Sequence, residues 1–223
     1  MKKILLILTL LMMVSNLKAQ EDPKMHFGLK VAPSLTWIKT DTKGLSSEGT
    51  KFGFGYGLIT EFRFSKQYYF ATGVDITYRG GNLKESNSNY DTTTTVEKNY
   101  TLQYVELPIT MKLKTNEIGH YVYFLQFGVA PGINIRAKGD TKTTTQIGSH
   151  PVSLEEENGV DIKDDINILN LSMIISAGLE YNLSGTTNFL TAVTFNNGFL
   201  DVFDGDAIKG NTNFLALTLG ILF

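Results

Sequence analysis

From residue 27 onward, apolar and polar side chains alternate with a period of two. The clearest run is 52–64. Phe52, Phe54, Tyr56, Leu58, Thr60, Phe62 and Phe64 share one face, and Gly53, Gly55, Gly57, Ile59, Glu61 and Arg63 share the other. A period of two over this length predicts a strand between two different environments. Three glycines in five positions argue against a helix there. The same alternation predicts strands at 27–37, 68–79, 100–114, 123–136, 171–181 and 212–223, with a weaker one at 189–196. That makes eight. The phase slips at Tyr104 and Val105, which predicts a bulge at that point.

The connections alternate in length. Short turns are expected at 65–67, 115–120 and 182–187, and long ones at 38–51, 80–99, 137–165 and 197–211. Short turns at one end and long loops at the other are the mark of an up-and-down barrel in an outer membrane. The fold class expected is therefore all-β: an eight-stranded antiparallel up-and-down transmembrane β-barrel with short periplasmic turns and long external loops. The long loops are threonine-rich at 91–95 and 141–145 and acidic at 155–157 and 164–165. Such polar tracts cannot bury a core, so mobile loops are expected there.

A soluble barrel would turn its apolar face inward, and three features oppose this. Gly28, Gly53, Gly55, Gly57, Gly73, Gly128, Gly132, Gly178 and Gly220 all lie on the polar face. A solvated face has no need of them, whereas a narrow lumen needs small residues beside large ones. The polar face also carries a balanced set of charges: Lys30, Arg63, Arg79, Lys112 and Arg136 against Glu61, Asp75, Glu106 and Glu180. Paired charges are tolerated inside a closed lumen, and isolated ones are not. Finally, Trp37, Phe52, Phe54, Phe64, Tyr68, Phe70, Tyr78, Tyr123 and Phe223 gather at strand ends on the apolar face, as interfacial girdles do.

The first residues have a different logic. Lys2 and Lys3 precede an eleven-residue run at 4–14 that is apolar apart from Thr9, and small Ala19 follows a polar stretch. This is a signal-peptide pattern, and the run is too short for a membrane-spanning helix of about 20 residues. Residues 1–19 are expected to be removed between Ala19 and Gln20, leaving 20–223 as one barrel domain.

Composition excludes several functions. The chain has no cysteine, so it has no disulfide, thiol nucleophile or lipoprotein anchor. The net charge of −2 gives no field to gather nucleic acid. His26, His120 and His150 do not form a triad with a serine and a carboxylate, so no catalytic residues and no enzymatic activity are expected. His150 with Glu155, Glu156 and Glu157 lacks any fixed ligand spacing, and no metal or cofactor is expected. Nine charged side chains in an eight-stranded lumen leave little room for a conducting path.

The segment Tyr104-Val-Glu-Leu-Pro-Ile-Thr-Met-Lys112 resembles a signature of the PorT-like outer-membrane β-barrel family of Bacteroidetes. Segments 27–34, 126–132 and 219–223 are similar to that family as well. Independently of the resemblance, Pro108 removes one ladder donor and should interrupt the strand. The resemblance implies an outer-membrane location and a C-terminal Phe223 read by the barrel-assembly machinery during biogenesis. Some members of the family serve type IX protein secretion or gliding, so an accessory role in secretion or surface assembly is one reading. The leading expectation is a structural or interaction protein whose external loops meet protein partners and whose wall meets outer-membrane lipid. A lipid-modifying enzyme is the third reading.

Overall fold

The computed structural model describes residues 24–90, 92–147, 150–205 and 208–223. The expected signal segment, with Ala19 and Gln20, lies outside the described residues. The described residues form eleven strands: β1 (Met25–Thr40), β2 (Leu45–Ser47), β3 (Lys51–Arg63), β4 (Tyr68–Asn89), β5 (Thr92–Glu106), β6 (Ile109–Lys114), β7 (Tyr121–Ile147), β8 (His150–Asp161), β9 (Leu169–Ser184), β10 (Thr187–Gly198) and β11 (Gly210–Leu222).

These strands make the eight-stave ring that the alternation predicts. β5 and β6 are one stave, parted at Leu107 and Pro108 where the proline has no amide to donate. Each stave pairs antiparallel with the next, and β1 pairs with both β3 and β11 to close the ring. Closure removes every exposed edge within the wall, which lipid demands because it offers no hydrogen bonds. At the seam, Phe223 and Phe27 exchange backbone hydrogen bonds at 2.7 and 3.2 Å.

The outer wall is apolar. Phe27, Leu29, Leu58, Val74, Leu125, Phe127, Ile175, Val193, Leu217 and Ile221 are all exposed on it. The glycine face turns inward, and Gly57 shows why. A β-carbon there would lie 2.2 Å from Asp75 Oδ1 and 2.4 Å from the Val74 carbonyl oxygen. The charged side chain occupies the volume that the glycine leaves.

Two expectations are corrected at the outer end. The tracts at 80–99 and 137–165 are not irregular loops: β4, β5 and β7 continue beyond the wall, and β2 and β8 pair at their flanks. The two threonine tracts face each other in register, with Thr94 opposite Thr145 and Thr95 opposite Thr144. Threonine is polar in composition but β-branched in shape, and a ladder needs the shape. From Tyr78 to Asn89 this sheet runs about 35 Å, at roughly 3.3 Å per residue.

The second correction concerns the bulge. β5 keeps its phase through Tyr104 and Val105, and the irregularity is on its partner. Gln103 faces Arg136 and Tyr104 faces Asn134, which leaves Ile135 on β7 unopposed.

Candidate functional site, the closed lumen

Inward-facing residues fill the barrel at three levels. The lowest is a charge cluster near the short turns. β6 carries Lys112 and Lys114 two residues apart, so both point inward. β3 supplies Glu61 and β9 supplies Glu180. Lys112 Nζ donates to Glu61 and lies 2.6 Å from Glu180 Oε1. Lys114 Nζ lies 2.7 Å from Glu61 Oε2 and 2.8 Å from the Glu180 carboxylate. All four are buried. The ammonium groups also sit over rings, Lys112 at 3.9 Å from the Phe124 centroid and Lys114 at 4.3 Å from that of Tyr69. Two cations share two anions, so neither sign is left unpaired in a dry interior. Arg63 lies lower still, half-buried at the periplasmic mouth, where it reaches the Tyr69 side chain.

The middle level holds two ion pairs. Lys30 Nζ lies 2.7 Å from Asp75 Oδ2, and Arg79 Nη1 lies 3.1 Å from Glu106 Oε1. Thr77 donates to the other Glu106 oxygen at 3.1 Å. The Arg79 guanidinium stacks 4.0 Å from the Tyr104 ring centroid. Lys30, Asp75, Arg79, Glu106, Gln126 and Asn196 line a cavity of about 80 Å³ between this level and the lower one.

The upper level is apolar. Ile38, Leu83, Tyr100, Leu102, Tyr104 and Ala137 come from strand ends, and Ile166, Val202 and Phe203 come from the connections folded over the mouth. Tyr100 and Phe203 meet edge to face at 5.0 Å. This plug was not legible in the alternation, which assigns apolar residues outward.

Of the nine charges expected inside, the structure brings Lys30, Glu61, Asp75, Arg79, Glu106, Lys112 and Glu180 into these two levels and puts Arg63 at the mouth. Arg136 is the exception. It is exposed on the outer surface, because the extra residue Ile135 shifts β7 by one and puts Ala137 inward in its place. Lys114 was missed. Its signal was its spacing, two residues past Lys112 on the same face.

A closed eight-stave ring with a lipid-like exterior and a charged interior is a membrane barrel, and sequence comparison gives its family. The profile of the outer membrane protein beta-barrel domain family matches residues 18–204. The chain belongs to this family. It is located in the outer membrane. No curated protein matches it. Among solved structures, this outer-membrane barrel is similar to Neisserial surface protein A, NspA, at 12% identity over 91% of this chain and 98% of that one, with a TM-score of 0.48. It is similar to the Escherichia coli outer membrane protease OmpT at 9% identity over 93% and 99%, with a TM-score of 0.46. It is similar to Ail, the attachment invasion locus protein of Yersinia pestis, at 12% identity over 90% and 100%, with a TM-score of 0.34.

The outer-membrane barrel places its histidines apart. His26 is half-buried near Tyr69, with Nδ1 buried and unpartnered, His120 sits by Tyr181, and His150 opens β8. Among the described residues, no group of three or more histidines and carboxylates could hold a metal ion. Outside the membrane, Lys84 of the projecting sheet is 3.1 Å from Glu48 and 3.3 Å from Glu97. The hydrogen bonds it donates to Glu48 and then to Glu97 raise its pKa above the ordinary lysine value.

Proposed function

We propose that this barrel is a non-enzymatic, non-conducting scaffold that presents its external sheet to protein partners. One relationship carries the reading: the lumen is filled at three levels, while β4, β5, β7 and β8 continue outside as paired strands. A transport role needs an open path, and a lumen stopped by ion pairs and an aromatic plug offers none. A rigid extension beyond the lipid offers side chains at a fixed height for contact. The narrower PorT-like reading, with a role in secretion or surface assembly, rests on the sequence resemblance of residues 104–112 and of segments 27–34, 126–132 and 219–223 alone.

Two measurements test the proposal. Planar-bilayer recordings of the purified barrel should show no steady ion conductance. Photo-crosslinkers placed at Glu156 in living cells should capture a defined protein, and trimming the hairpin tips should abolish capture without unfolding the barrel. Steady conductance, or capture that survives trimming, sinks the scaffold reading.

A further inference from the structure

The bulge on β7 has a consequence outside the barrel. Even-numbered residues of β7 point inward from Val122 to Asn134, so an unbroken strand would carry Arg136 into the apolar plug beside Leu102 and Tyr104. With Ile135 unopposed, Ala137 takes that inward place and Arg136 turns to the outer surface. Bulges commonly re-aim a side chain in this way. Among the described residues the Arg136 side chain has no hydrogen bond, ion pair or ring contact.

Its height can be estimated. Below it on the outer face of β7 run Tyr123, Leu125, Phe127, Val129, Ile133 and Ile135, all exposed. From position 123 to 136, at about 3.3 Å per residue and a tilt of about 40°, the rise is about 30 Å. The apolar band of such a barrel is about 25 Å tall, so Arg136 clears the hydrocarbon and stands among the headgroups of the outer leaflet. The neighbouring stave supports this height. Gln103, paired with Arg136, donates to the Tyr78 hydroxyl at 2.9 Å, and Tyr78 belongs to the outer aromatic girdle. An unpaired guanidinium has five donors in a planar fork suited to phosphate, and at this level lipid phosphates are the anions at hand.

We infer that Arg136, beside the Gln103 and Tyr78 pair, is a docking point for the phosphate of an outer-leaflet lipid. The bulge therefore serves two ends at once: it keeps an arginine out of the plug and holds it against the leaflet.

The test is lipid retention by the folded barrel in detergent, counted by native mass spectrometry. The probes are phosphorylated lipid A, its dephosphorylated form, and inorganic phosphate as competitor. Arg136→Gln should lower retention of phosphorylated lipid A about tenfold, the scale of one lost charge-assisted contact. Arg136→Lys should be intermediate. Lys163→Gln, which removes a loop cation, should match the unmodified protein, and all variants should keep the gel shift of a folded barrel. The inference is overturned if Arg136→Gln retains phosphorylated lipid A fully. It is also overturned if the unmodified protein holds the dephosphorylated form equally well. Displacement by inorganic phosphate as readily as by free lipid A would assign the site to free anions and overturn the lipid assignment.

Discussion

Lys112 and Glu180 meet in the lower lumen, 2.6 Å apart and both sealed from solvent. Their bond closes a four-member cluster in which Lys114 and Glu61 are the other partners. Removing one member strands a charge, and a broken buried pair costs roughly 3–5 kcal/mol. Glu180→Gln should therefore lower the urea midpoint of the barrel folded in lipid vesicles. The pair of changes Glu61→Gln with Lys112→Met, which removes one charge of each sign, should cost less than the sum of its parts. Additive losses would show that the four groups do not act together.

Two glycines on one face of β3 offer a matched comparison. A β-carbon at Gly57 meets Asp75 and the Val74 carbonyl within 2.4 Å, whereas one at Gly55 finds nothing nearer than 3.5 Å. Gly57→Ala should destabilise by about 1–3 kcal/mol, the usual cost of overpacking, and Gly55→Ala should be tolerated. Equal stability of the two variants by urea titration contradicts the account of inward glycines as room for charged side chains.

Tyr104 carries both the apolar plug above it and the Arg79 guanidinium beside it. Truncation to alanine should cost about 3–5 kcal/mol, as for other large buried aromatics. It should also admit ions where the unmodified barrel is expected to pass none, while Tyr104→Phe should keep the ring and the seal. A Tyr104→Ala barrel that is folded and silent in bilayer recordings would place the seal elsewhere.

The projecting sheet should break independently of the barrel. β5 is paired on both sides, with β4 and β7, so the amide of Thr94 is committed to the ladder. Thr94→Pro removes that donor. Protease should then cut the outer hairpins faster, while the gel shift of the folded barrel persists. Loss of both together would mean that the sheet and the barrel fold as one unit.

Much of this was legible in the residues. The run at 52–64 alone shows a strand with one lipid-like face, and the inward glycines with their balanced charges show which face is the lumen. Less was legible at the outer ends of the staves. The threonine tracts look like loops in the sequence because threonine is polar, whereas its β-branched shape suits a ladder. Tyr100, Leu102 and Tyr104 point inward although they are apolar, since the residues folded over the mouth give them an apolar environment that the alternation does not register.

What the sequence by itself determined is the period of two, the number of staves and the alternation of short and long connections, because each is a local property of the chain. Only the tertiary structure decided which carboxylate each ammonium meets, where the lumen is sealed and on which side of the wall Arg136 stands. Those depend on the register between strands far apart in sequence. A single unopposed residue, Ile135, is enough to turn every later side chain of β7 to the other face.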